Sequence, residues 1–178
     1  KYALISVIRM PAQIISYEIP LIISLLITCI LIGSLSFGEI IRFQEDVWII
    51  FYPILGQVSF IIFMISALAE GNRIPFDLSE AESELISGYT TEYSGIKFAL
   101  FYLAEYVHLF GICVLGSIIF FGGSNGPFFS GNIMIVIKAL LFFTLILFIR
   151  WSFFRIRIDQ LLKFNWIKLI PLSFTGLL

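Results

Sequence analysis

Residues 47–69 carry no charged side chain, and neither do residues 19–37. Each run reaches or approaches the roughly 20 apolar residues that an α-helix needs to cross a bilayer's hydrocarbon core. Three further stretches read the same way with small interruptions. Residues 98–121 hold Glu105 and His108, residues 133–154 hold Lys138 near one end and Arg150 near the other, where both are expected to snorkel to the membrane edge, and residues 161–178 hold Lys163, Lys168 and Pro171. The spacing predicts an all-α polytopic membrane protein of about five spans in a single domain over 1–178, with a long connection at 70–97. Composition agrees. The chain is 60% hydrophobic and 13% charged, with a mean hydropathy of +1.03. A soluble domain is about 25% charged and has too little interior to hide this much apolar surface. A net charge of −1 supplies no basic field for nucleic acid. Cys29 and Cys113 are isolated in apolar runs, so neither a disulfide framework nor a paired-cysteine metal site is expected.

Basic residues orient the spans. With five spans, the N-terminal segment, the 70–97 loop and the 150–160 connection share a side, and they hold Lys1, Arg9, Arg73, Lys97, Arg150, Arg155 and Arg157. The opposite side offers Arg42, and residues 122–132 are uncharged. The first set is therefore expected in the cytoplasm or a mitochondrial matrix. The bias toward Ile and Phe suits an AT-rich, organellar genome, which favours the mitochondrial inner membrane, with the bacterial plasma membrane as the alternative.

The 70–97 connection, EGNRIPFDLSEAESELISGYTTEYSGIK, sets Glu70, Asp77, Glu80, Glu82, Glu84 and Glu92 against Arg73 and Lys97. Ser79 with Glu82, and Asp77 with Glu80, have capping-box spacing, so a short solvated helix accounts for part of the pattern. Asp77, Glu80 and Glu84 would form one carboxylate stripe on that helix, close enough to repel unless Arg73 intervenes. Glu70 follows an uncharged span and lies near the membrane boundary. Glu105 lies about 12 Å into its own span at 1.5 Å per residue, where an acid faces protein or a wet cavity. His108 follows at i+3. One Glu-x-x-His is half of a di-iron carboxylate site, which needs the motif twice; the chain has a single histidine, so no metal site is expected. At the front, Gln13 and Tyr17 share a helical face beside Arg9, Ser16 and Glu18, and Glu18 is another acid at the membrane edge. In RWSFFRIRIDQ, Arg150, Arg155 and Arg157 read singly as membrane anchors and together as neutralising partners for the acids.

The stretch LAEGNRIPFDLSEAESELISGYTTEYSG, with AEYVHLF after it, RMPAQIISYE before it and IRWSFFRIRIDQLLKFNW behind, resembles the subunit 1 family of respiratory complex I, the proton-pumping NADH:ubiquinone oxidoreductase. The resemblance implies a membrane-arm subunit that borders the quinone cavity and links it to buried acids. Matched motif by motif, Glu18, Glu70 and Glu105 would form the proton or coupling path. Arg73, Asp77, Glu80, Glu82 and Glu84 would form the loop under the quinone, and Arg9, Arg150, Arg155 and Arg157 the basic counterpart. No residue of this chain would be catalytic in itself and no cofactor would be bound by it. Ubiquinone would be the substrate at a site shared with other complex I subunits, and electrons would arrive from their iron–sulfur centres. The resemblance covers the last five of the family's eight spans, so the chain is expected to be a fragment or part of a split subunit whose partner chain supplies three spans. Phe154 stands where the family commonly has Pro, Ala81 where it has Gly, and His108 where it has no histidine; His108 is given no role. The competing readings are a secondary ion transporter using Glu18 and Glu105, and a purely structural membrane subunit.

Overall fold

The computed structural model describes residues 2–77, 93–126 and 131–177, with side chains from residue 6 onward. Every regular element among them is helical. The elements are α1 (Tyr2–Ile32), α2 (Phe37–Phe43), a 3-10 turn (Ile49–Phe51), α3 (Leu55–Glu70), α4 (Ile96–Phe120), α5 (Asn132–Ser152) and α6 (Ile158–Phe164). A π turn (Asn165–Leu169) then carries α6 directly into α7 (Ile170–Leu177). The chain is an all-α polytopic membrane protein. Residues 6–32 and helices α4 and α5 are each long and apolar enough to cross a bilayer. Glu80, Glu82 and Glu84, with the capping pairs expected around Ser79, lie outside the described residues.

The helix expected from residue 19 begins at Tyr2. Its N-terminal half escapes a hydropathy reading because its polarity faces inward. Ser6, Gln13, Ser16, Tyr17, Ser24 and Thr28 are buried, while Val7, Ile8, Ile15, Ile22 and Ile30 lie on the outside. Buried hydroxyls do not break the helix, since Ser16, Ser24 and Thr28 donate back to the Ala12, Leu21 and Leu25 carbonyls. The helix ends at Ile32 rather than 37. Gly33 takes the left-handed conformation at φ +80° and its N–H returns to the Cys29 carbonyl, a glycine C-terminal stop.

The second expected span, 47–69, is helical only from Leu55. Pro53 has no N–H to give a helical ladder, and a Cβ on Gly56 would stand 1.9 Å from the Ile49 carbonyl oxygen, so the chain folds back there. Sixteen residues make about 24 Å of helix, less than a hydrocarbon core of about 30 Å. Ahead of it residues 45–54 form an irregular, largely exposed stretch anchored at Gln44 and Ile49. Gln44 is fully buried, its amide donates to the Ile118 carbonyl at 3.1 Å, and its side-chain oxygen accepts the Ile49 N–H at 3.3 Å. Irregular backbone survives at membrane depth when protein satisfies it in this way.

Lys138 also departs from expectation. Rather than reaching out to the membrane edge, it turns inward and is buried. Its ammonium donates to the Phe121 carbonyl at 2.5 Å, the Gly123 carbonyl at 3.0 Å and the Asn125 carbonyl, and lies 4.8 Å from the Trp48 ring centroid. The physical reason is that the turn after α4 aims three carbonyls at it that no backbone N–H satisfies among the described residues. Between the ends, α1 packs chiefly on α3, and α4 on α5. Phe60, Phe63, Phe120, Phe121 and Phe142 meet at the centre, where Gly116 leaves room for Phe63 and Phe142.

Candidate functional site: crossed acid–base pairs at one end of the bundle

At one end the first half of α1, the end of α3, the start of α4 and the 150–165 stretch converge. Gln13 donates to the Ala69 and Phe76 carbonyls, the Tyr17 hydroxyl to the Leu161 carbonyl at 3.1 Å, and the Ile156 N–H to the Pro75 carbonyl at 3.0 Å. The Asn165 amide reaches the Ser16 carbonyl. These contacts bring onto one end the three segments whose basic residues set the expected orientation. Arg42 and Asn125 lie at the other end, where the Asn125 amide holds the Ile41 carbonyl at 2.8 Å.

Glu70 is the last residue of α3. Beyond it the chain turns sharply. Gly71 N–H bonds the Ala67 carbonyl at 3.0 Å, Asn72 takes φ +48°, and the Arg73 N–H returns to the Leu68 carbonyl at 3.3 Å. Asparagine tolerates that left-handed position better than most residues. The turn folds Arg73 back against α4, where Nη2 lies 3.5 Å from Glu105 Oε2 and the guanidinium carbon 4.4 Å from the Tyr106 ring centroid. One turn further along α4, His108 Nε2 lies 3.4 Å from Glu70 Oε1. Two crossed pairs result, acid to base and base to acid. On α4 the register follows from helical geometry, since Glu105 and His108 at i and i+3 share a face; on the other side it is the turn after Glu70 that places Arg73.

The pairs differ in character. Arg73 is a permanent cation and its pair is well enclosed, with side-chain exposures of 8% for Arg73 and 16% for Glu105. His108 is half exposed and charged only when protonated. The Arg73–Glu105 contact has ion-pair distance without hydrogen-bond geometry, and Arg73 Nη2 is a buried donor with no hydrogen-bond acceptor among the described residues. Glu105 also feels the charges of Asp77 and Arg150, and Glu70 feels that of Glu18. Acids and bases this close set the electrostatic field at one another.

Of the residues singled out in the sequence, Glu70, Arg73, Asp77, Glu105 and Arg150 are brought together, with Glu18 at their edge on the outer face of α1. Arg9 and Arg155 are half-buried and each holds an interaction. Arg157 is exposed directly ahead of α6. His108 is the residue that motif and hydropathy reasoning leave without a role. A signal for it exists in the sequence: Glu70–Arg73 and Glu105–His108 have the same spacing and the same acid-then-base order, which an antiparallel approach turns into two opposite-charge contacts.

A family model described as NADH dehydrogenase matches residues 1–178. An NADH-quinone oxidoreductase subunit of Bacillus cytotoxicus (strain DSM 22905 / CIP 110041 / 391-98 / NVH 391-98) is 47% identical over 181 aligned positions, which cover 99% of this chain and 54% of the relative. The corresponding proteins of Bacillus thuringiensis (strain Al Hakam) and Bacillus cereus (strain AH187) are each 46% identical with the same coverage. The chain spans about half the length of the curated relatives it matches.

Proposed function

Because the chain belongs to the NADH dehydrogenase family, we propose that it serves as a membrane-arm subunit of a proton-pumping NADH:quinone oxidoreductase. In this reading it borders the quinone cavity and carries the acids that couple quinone reduction to proton translocation. The observation that supports this best is the crossed pair of ion contacts, Glu70 with His108 and Arg73 with Glu105. Glu18, Glu70 and Glu105 are the proposed coupling acids. Arg73 and Asp77, together with Glu80, Glu82 and Glu84, are the proposed quinone-side loop, and Arg9, Arg150, Arg155 and Arg157 the basic counterpart. Quinone reduction beside the loop would change the charge that Arg73 and Asp77 present to Glu105. A proton then moves because the low-dielectric surroundings make each charge change costly to leave uncompensated.

Ubiquinone is the proposed substrate, shared with neighbouring subunits that deliver the electrons, and this chain's part in the reaction is electrostatic. The partners are the other subunits of the complex. The relatives named above are bacterial, which supports the bacterial plasma membrane over the mitochondrial inner membrane that the composition favours. Membership of this family also leaves no ground for a free-standing ion transporter.

Arg73→Ala in the assembled complex tests the loop's role. Removing the guanidinium leaves Glu105 unpaired beside Asp77. Quinone-linked NADH oxidation should fall about ten-fold or more, on the scale of losing an electrostatic stabiliser, while NADH oxidation by an artificial acceptor stays normal. Unchanged quinone reduction would refute the role, and equal loss of both activities would make Arg73 an assembly residue.

A further inference from the structure

Gln13 is one of the buried polar residues of α1 that the ion pairs do not use. Its side chain is 1% exposed, and Nε2 donates to two carbonyls, Ala69 at 2.7 Å and Phe76 at 2.8 Å. The amide can sit in only one sense, because reversing it would press Oε1 against two carbonyl oxygens. The two acceptors bracket the segment that contains both Glu70 and Arg73. Within the bracket the Asn72 and Arg73 N–H bonds are long, at 3.4 and 3.3 Å, while the Phe76 N–H bonds the Arg73 carbonyl at 2.7 Å and the Ile156 N–H the Pro75 carbonyl at 3.0 Å. The two bonds from Gln13 tie both ends of the segment to one side chain of α1. Oε1 is buried and has no hydrogen-bond partner among the described residues, so the donors, not the whole amide, are what this position supplies.

We propose that Gln13 is a positioning residue for the coupling site: by clamping the Ala69 and Phe76 carbonyls, it sets the approach of Glu70 to His108 and of Arg73 to Glu105. This rests on the functional reading of those pairs. The other charges facing them are Glu18 from α1 toward Glu70, and Asp77 and Arg150 toward Glu105. Neither pair is touched by Gln13 itself, so its influence passes through the backbone of the turn.

The test is a mutant cycle in the assembled, membrane-bound complex. Gln13→Met keeps volume and helix propensity but removes both donors. Quinone-linked kcat should fall about five-fold, with KM for quinone and NADH oxidation by an artificial acceptor unchanged. In an Arg73→Ala background the same substitution should lower the rate by less than about two-fold, because the pair it positions is already gone. Tyr17→Phe, which cuts only the tie to Leu161, should combine with Arg73→Ala as the product of their separate effects. Multiplication of the Gln13→Met and Arg73→Ala effects would overturn the proposal. If Gln13→Met blocks assembly, Gln13→Asn, which keeps an amide one methylene shorter, enters the same cycle; failed assembly in both makes Gln13 a folding residue and also overturns it. Arg73→Ala alone separates the two ideas. A normal rate there removes the reading of the pairs and this inference with it, whereas a reduced rate with multiplicative Gln13→Met removes this inference alone.

Discussion

A charged side chain at membrane depth must find partners, and three residues find them differently. Glu105 finds Arg73, Glu70 finds His108, and Lys138 finds three backbone carbonyls. The cost of the acid at 105 is legible in the sequence, because no apolar run of this length carries a carboxylate without reason. Its partner is not legible there, since a contact between distant positions of the chain depends on the turn after Glu70. Lys138 is misread for a related reason: snorkelling assumes that the nearest polar environment is the membrane edge, and here it is the end of α4. Lys138→Met should leave buried carbonyls without donors at about 1–3 kcal/mol for each unsatisfied group. The expected result is a complex that loses activity at a lower temperature in detergent, with normal quinone turnover per intact complex before heating. A complex as heat-resistant as the parent would show that the carbonyls find other donors.

Helix existence is easier to read than helix ends. The apolar runs mark where α4 and α5 lie to within two residues. The start of α1, at Tyr2 rather than residue 19, escapes the reading because its buried face is the polar one, the reverse of the pattern that hydropathy detects in soluble helices. The short α3 escapes it because Pro53 and Gly56 sit inside an otherwise uninterrupted run, and only the close approach of Ile49 reveals what they permit. The π turn at Asn165–Leu169 directly precedes α7, whose Pro171 lacks the N–H for an i−4 bond. Packing between elements supplies a sharper test. A Cβ at Gly116 would lie 2.8 Å from Phe63 and 3.3 Å from Phe142, so α4 approaches α3 and α5 through a position with no side chain. Gly116→Val overpacks this junction and should cost about 1–3 kcal/mol. It should lower the temperature of half-inactivation and leave the ratio of protons moved to quinone reduced unaltered. An unchanged inactivation temperature would mean that both rings relax freely.

As a whole molecule the chain is unfinished on its outer surface. Glu18 lies exposed about 24 Å along α1 at 1.5 Å per residue, and the first half of α4 presents Ile96, Leu100, Leu103 and Val107 outward beside Glu105. A carboxylate on a face toward lipid is expensive, so this side is expected to be covered in the assembly. Residues 1–178 expressed alone should therefore aggregate in mild detergent, whereas the chain within the complex should co-purify with NADH-oxidising, iron–sulfur-containing subunits. A monodisperse, folded isolated chain would contradict that account. In the proposed function, coupling belongs to the complete assembly. Glu105→Gln retains size and hydrogen bonding but removes the titrating proton, so the complex should assemble and oxidise NADH with an artificial acceptor at the normal rate. Reconstituted into sealed vesicles, it should show quinone-linked turnover and proton uptake falling together by about ten-fold or more, on the scale of losing a general acid–base group. Full turnover with an undiminished proton gradient would contradict the claim and return Glu105 to a packing role.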